Sequence, residues 1–151
     1  MLKKNKVLIY YNSMNASGGV ERVIANLVRN WMENYDITIL VKDDGKSFYP
    51  LPNGIVIDSL SIDCSMNMNN RVSRALNVFK GCFSSVAKLK EYLKNHECDW
   101  IYTATPMQCF EVVRAGYGKK VIATEHASAG AYNKVYQRIK DYAYKRVYKV
   151  T

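Results

Sequence analysis

The feature that most narrows the fold lies near the N-terminus, where an apolar run of strand length, Val7-Leu8-Ile9-Tyr10-Tyr11, is followed by a helical pattern. In that pattern Val20, Val23, Ile24, Leu27, Val28 and Trp31 recur at three- and four-residue spacing. Between the two lies Asn15-Ala16-Ser17-Gly18-Gly19. Strand, glycine turn and amphipathic helix therefore follow in that order. At such a helix start the free backbone N–H groups and the positive end of the dipole point outward, and glycine lets an anion approach the main chain closely. The pattern predicts a nucleotide or nucleotide-sugar site with Ser17, Gly18 and Gly19 at the diphosphate. The same residues also suit a plain tight connection, with Ser17 as a cap and Glu21 in the first turn. The third spaced glycine of a dinucleotide fingerprint is missing, so a nicotinamide cofactor is not expected. Gly45-Lys46-Ser47 resembles the end of a phosphate loop, but Leu40 stands where that motif needs its first glycine. It reads as a surface turn.

A chain of 151 residues suffices for one domain with one core. Cys64, Cys82, Cys98 and Cys109 form no Cys-x-x-Cys pair, and His96 and His126 are the only histidines, so no zinc site is expected. No window approaches the length of a membrane span, and the apolar run after Lys6 is too short for a signal core. A cytoplasmic location with reduced thiols is the expectation.

The formal charge of +9 is unevenly spread. Residues 71–94 carry six bases against Glu91, and residues 134–149 carry six against Asp141, so each segment holds +5 and the rest of the chain −1. Phe79, Phe83, Tyr132, Tyr136 and Tyr148 lie among these bases. The mixture suits an anionic membrane surface. Charge alone would also draw nucleic acid, but no recognition motif supports that partner.

Further strands are predicted at residues 36–41, 55–60, 99–103 and 120–124, with a start of another at Val150-Thr151. Helical patterns run from Arg71 through Leu93, interrupted at Gly81, from Pro106 through Val113, and over residues 132–148. Residues 61–70 lack a period and read as a mobile loop. Strands alternating with helices predict an α/β, Rossmann-like fold: a mostly parallel sheet with helices on both faces. Ligands in such sheets bind beyond the carboxyl ends of the strands. Residues 12–19, 103–106 and 125–129 should share that edge.

Ser17-Gly18-Gly19-Val20-Glu21-Arg22-Val23 after the first strand, Glu125-His126-Ala127-Ser128 after the fifth, and a basic aromatic helix after that resemble the N-terminal domain of a family-4 glycosyltransferase of the GT-B fold. The likeness covers essentially the whole chain, residues 1–151. It implies two facing Rossmann-like domains, the acceptor held mainly by the first and the donor mainly by the second. A Glu-x7-Glu motif belongs to that second domain, and no glutamate here has another eight positions later. The resemblance thus implies the acceptor-side half of a retaining, hexosyl-transferring enzyme of surface polysaccharide or glycolipid assembly. By itself this half should be inactive, its own C-terminal domain supplying the rest.

By the same resemblance the co-substrate is a nucleotide-diphosphate sugar of UDP or GDP type, no cofactor is needed, and no metal is used, consistent with the lack of an Asp-x-Asp pair. Partners are the sugar donor, a glycan or lipid-linked acceptor, and an anionic membrane at the inner face of the plasma membrane. His126 and Glu125 are the candidate catalytic pair, either as cleft groups or with Glu125 orienting His126, and each also suits a structural role. Thr103 and Thr105 are candidate acceptor contacts. The rival reading is a stand-alone basic Rossmann-like binding module, an adaptor on membranes or nucleic acid without catalysis.

Overall fold

The computed structural model describes residues 3–62, 71–126 and 133–151, and of residues 71–80 and Cys82 it describes the helix alone. The loop expected over residues 61–70 falls mostly outside the described residues, as do Ala127, Ser128 and Tyr132.

Six strands, β1 (Asn5–Tyr11), β2 (Tyr35–Val41), β3 (Val56–Ser59), β4 (Trp100–Thr103), β5 (Val121–Ala123) and β6 (Lys149–Val150), form one sheet in the order β3-β2-β1-β4-β5-β6. Every pairing is parallel. Four helices connect them: α1 (Gly19–Trp31), α2 (Arg71–Asn95), α3 (Pro106–Arg114) and α4 (Lys134–Tyr144). The strand order reverses between β1 and β4, since the chain builds outward from β1 to β3 and then returns to β1's other side. This is the α/β Rossmann-like architecture that the alternation of strands and helices predicts.

Why β1 is central follows from its sequence. Val7, Leu8, Ile9 and Tyr10 are all buried, as a strand covered on both faces requires. Val7 and Ile9 join Ile24 and Val28 of α1 and Ile37 and Ile39 of β2 in one core. Leu8 and Tyr10 point the other way, into a second core with Leu89 and Leu93 of α2, Cys109 and Val112 of α3, and Ala143 of α4. Right-handed crossovers account for this division: α1 covers one face, and the three later helices cover the other.

Two boundaries depart from the sequence reading. Gly81 does not split α2, which runs unbroken for 25 residues. A glycine inside a helix costs about 1 kcal/mol, well within what a long packed helix absorbs. The last helix ends at Tyr144 instead of continuing to Tyr148, and Tyr148 N–H already donates to Val121 of β5 (3.2 Å), leading into β6. At the end of α3, Gly116 takes φ +97°, its N–H donates to Val113 O and that of Tyr117 to Val112 O (both 3.1 Å), closing the helix by a left-handed cap. A short 3-10 turn (Gly118–Lys120) then feeds β5.

Candidate functional site

The register sets the site. Tyr10 pairs with Leu40 on one side and Thr103 on the other, and Thr103 pairs with Ala123, so β1, β2, β4 and β5 end level with one another. The segments that leave them, beginning at Asn12, Lys42, Ala104 and Thr124, emerge on one edge astride the strand-order reversal. Crevices of this kind are where open α/β sheets take their ligands.

The glycine turn is the first component. Gly18, not Ser17, is the N-cap of α1, with extended backbone (φ −76°, ψ 169°) and no side-chain cap. Ser17 is exposed, and its carbonyl accepts the Tyr49 hydroxyl at 3.2 Å. The expected serine cap is thus corrected: the chain turns into the helix one residue later. The loop is braced by the segment after β2. Phe48 N–H donates to Met14 O (2.8 Å), Lys42 N–H donates to Asn12 O (3.0 Å), and Met14 is fully buried. The turn at Gly45-Lys46-Ser47 supplies part of this brace, with Ser47 bridging to Met14.

The two glycines differ. A Cβ on Gly18 would collide with Oε2 of Glu21, whereas one on Gly19 would meet nothing within 4 Å. Glu21 is buried and folds its carboxylate back over Gly18 at the start of the helix, where a negative charge is favoured. It also acts on the Tyr11 hydroxyl. Burial first, then the charge and hydrogen bond of Glu21, push Tyr11 up to about 12. The open space at the turn therefore lies beside Gly19.

The strand end after β5 is the second component, and here side-chain alternation decides the geometry. Thr124 and His126 lie on the α1 face: His126 Nε2 sits 3.1 Å from the Tyr102 hydroxyl and 3.2 Å from Thr124 Oγ1, which donates to Tyr102 (2.9 Å). Glu125 points to the opposite face, where both its oxygens meet Lys140 Nζ of α4 (2.8 and 2.6 Å). Glu125 does not orient His126. The two are neighbours in sequence and belong to different sides of the sheet, so that expectation is corrected. His126 is exposed and Glu125 half-buried.

Thr103 requires a second correction. It lies on the α3 face, fully buried, and its hydroxyl faces the Cys109 thiol, which burial pushes up to about 12. Its side chain is withdrawn from the edge. Thr105 is half-buried at the N-cap of α3, with its hydroxyl on the Gln108 side-chain oxygen.

Beneath the edge is a polar cluster that the sequence reading missed. Glu111 of α3, 1 % exposed, accepts the Tyr10 hydroxyl (2.7 Å) and the Lys42 ammonium (2.7 Å), while that ammonium lies 5.9 Å from the Tyr10 ring centroid. One turn earlier the fully buried Gln108 donates to Asn12 Oδ1 (2.7 Å). These bonds tie the ends of β1 and β2 to α3. A signal existed: Gln108 and Glu111 fall on the same helical stripe as Val112 and Ala115, so a charge there needed a buried partner.

Among the described residues, no group of three or more His, Cys, Asp or Glu side chains is arranged to hold a metal, and no helix is long and apolar enough to cross a membrane.

The profile of Glycosyltransferase Family 4 matches residues 17–151, from the glycine turn to the last strand. The chain belongs to glycosyltransferase family 4. Solved structures give the same fold. The apo form of the lipopolysaccharide outer core galactosyltransferase WaaB is 18 % identical with a TM-score of 0.64, over 91 % of this chain and 37 % of that one. Sucrose-phosphate synthase from Thermosynechococcus elongatus is 8 % identical with a TM-score of 0.67, over 97 % and 42 %. MurG of Acinetobacter baumannii is 12 % identical with a TM-score of 0.54, over 98 % and 40 %. This family-4 chain spans about two fifths of each. No match is found among curated protein sequences.

Proposed function

We propose that this domain is the acceptor-side half of a retaining glycosyltransferase that moves a hexosyl group from a nucleotide-diphosphate sugar to a glycan or lipid-linked acceptor in surface polysaccharide or glycolipid assembly. The observation that carries the reading is the convergence of the glycine turn, the Thr105 loop and the Thr124–His126 strand end on one edge, at the strand-order reversal, in a family-4 chain. Such a transfer must stabilise charge growing on the leaving diphosphate and hold the acceptor hydroxyl at the anomeric carbon with water excluded.

In this reading the diphosphate approaches the main chain through the open space beside Gly19, Gly18 and Ser17 shape the approach, and His126 hydrogen-bonds the transferred sugar or the phosphate from the α1 face. Glu125 acts through Lys140 as a positioning group for the strand end. Thr105 contacts the acceptor, a role the buried Thr103 side chain does not share. Donor nucleotide, UDP or GDP, is gripped chiefly by a second domain, without a metal, and a lipid-linked acceptor places the domain at the inner face of the plasma membrane.

Two measurements test this. Calorimetric titration of the 151-residue chain with UDP- and GDP-sugars should give weak binding and no turnover, and micromolar affinity or transfer by this chain alone overturns the half-site reading. In the complete protein, the anomeric configuration of the product followed by NMR should match that of the donor; inversion overturns the retaining assignment.

A further inference from the structure

The start of α3 reads in sequence as a capping box, Thr105-Pro106-Met107-Gln108. In such a box the threonine hydroxyl takes the amide N–H of the glutamine, and the glutamine side chain reaches back to that of the threonine. The box is not closed here. Thr105 makes no side-chain cap, and its hydroxyl donates instead to Gln108 Oε1. Gln108, fully buried, donates from Nε2 to Asn12 Oδ1 (2.7 Å), 96 residues earlier in the chain. Two side chains suited to capping a helix are committed to holding one asparagine at the end of β1.

Asn12 is fixed twice over. Its backbone carbonyl accepts Lys42 N–H (3.0 Å) and its side-chain oxygen accepts Gln108, so its carboxamide rotates only by breaking a bond to a fully buried partner. The N–H2 group is left over. Asn12 is exposed, and among the described residues nothing accepts from its Nδ2. Thr105 is the converse: with its proton given to Gln108, its half-buried hydroxyl has only lone pairs to offer. The edge thus presents one donor and one acceptor, brought together because both side chains bond the two ends of one carboxamide. Lys42 and Glu111 beneath them are paired with each other (2.7 Å) and add no net charge.

We propose that Asn12 contacts substrate, that with Thr105 it recognises a neutral hydroxyl of the acceptor glycan, and that Gln108 is the positioning residue that sets the polarity of both. This rests on the glycosyl-transfer reading for the identity of the glycan. A sugar hydroxyl both accepts and donates, so it satisfies the two groups at once, accepting from Asn12 Nδ2 and donating to Thr105 Oγ1. A phosphate oxygen only accepts and would face the Thr105 lone pairs. An ammonium only donates and would face the Asn12 N–H2. Selection of this kind is strong, because the wrong group leaves a polar partner of the site unpaired.

NMR titration of the 151-residue chain with the methyl glycosides of glucose, galactose, mannose and N-acetylglucosamine tests the proposal, with inorganic phosphate as the comparison. The Asn12 side-chain amide and the Thr105 backbone amide are followed. At least one glycoside should move the Asn12 N–H2 resonances to saturation, and phosphate should leave them in place. Asn12→Asp keeps an oxygen for Gln108 and replaces the donor by a second oxygen, so it should weaken that glycoside roughly tenfold or more with an unchanged urea midpoint. Gln108→Met, unable to hold the carboxamide, should weaken it severalfold, and the double variant should bind no worse than Asn12→Asp alone, since the two act as a unit. Additive losses, saturating phosphate shifts at Asn12, or no shift with any glycoside overturns the assignment. If Gln108→Met does not fold, Asn12→Asp at its exposed position decides by itself. In the complete protein Asn12→Asp should raise the acceptor KM and leave the donor KM within about twofold, and a rise in the donor KM instead also overturns it. A glycoside held at Asn12 in a protein that transfers no sugar would fail the enzymatic reading and leave the hydroxyl site standing; sugar transfer with neither KM moved by Asn12→Asp would do the reverse.

Discussion

Two ion pairs stand at the two ends of the same sheet edge, and they are built differently. Lys42–Glu111 lies beneath the strand-order reversal with side chains 9 % and 2 % exposed, and the Tyr10 hydroxyl completes the carboxylate's partners. Lys140–Glu125 lies at the outer strands with side chains 21 % and 23 % exposed, and it joins a surface helix to a strand end. A buried pair is indispensable once present, since removing one partner strands the other charge in a low dielectric, even though an apolar pair of the same volume could serve as well. A pair about a fifth exposed keeps more of its solvation, so losing one partner costs less. The inner half of the edge is therefore a fixed floor, and the outer half is held by a weaker, more exposed link.

The largest effect that sharpens this contrast is Glu111→Ala. It should destabilise the domain by about 3–5 kcal/mol in urea denaturation, because Lys42 and Tyr10 lose a shared buried partner. The joint change Lys42→Met with Glu111→Leu should recover most of that loss; failure to recover would mean that the charges themselves are needed. Next comes Gly19→Val in the complete protein. The open space beside Gly19 predicts unchanged folding, with kcat/KM reduced because the valine side chain would fill the space through which the leaving diphosphate approaches the main chain. A variant of normal activity would remove the glycine turn from the site.

A smaller effect concerns alkaline pH. The Tyr11 pKa in the folded chain, about 12, lies above its ordinary value of 10.0, so this residue's contribution is complete below pH 10 and is lost as pH rises through 12. Glu21→Gln should lower the Tyr11 pKa only partway toward 10.0, since burial is the larger cause, and the difference in ultraviolet phenolate absorbance between the two proteins reads it. The smallest effect is expected for Lys140→Ala, below about 1 kcal/mol in the same urea titration. A loss as large as that of Glu111→Ala would erase the distinction between the two halves.

Much of this edge was legible in the chain, and the parts that were not share one cause. The run from Val7 to Tyr10, the helical spacing from Val20 to Trp31 and the glycine turn between them are local patterns, and they place the turn correctly. Adjacency in sequence suggests Glu125 and His126 as a pair, yet alternation about a strand sends them to different faces, to Lys140 and to Tyr102. Thr103 was read as a cleft residue, and the same alternation buries it against Cys109. The Glu111 cluster draws on Tyr10 and Lys42, 101 and 69 residues away in sequence.

The sequence by itself determined the order of elements, the parallel doubly covered sheet and the family, because hydrophobic period, turn chemistry and motif order are properties of neighbouring residues. Tertiary structure alone decided which side of the sheet each strand-end side chain faces and which charges are sealed beneath the edge. Those outcomes depend on what packs against each face, and segments distant in the chain set that.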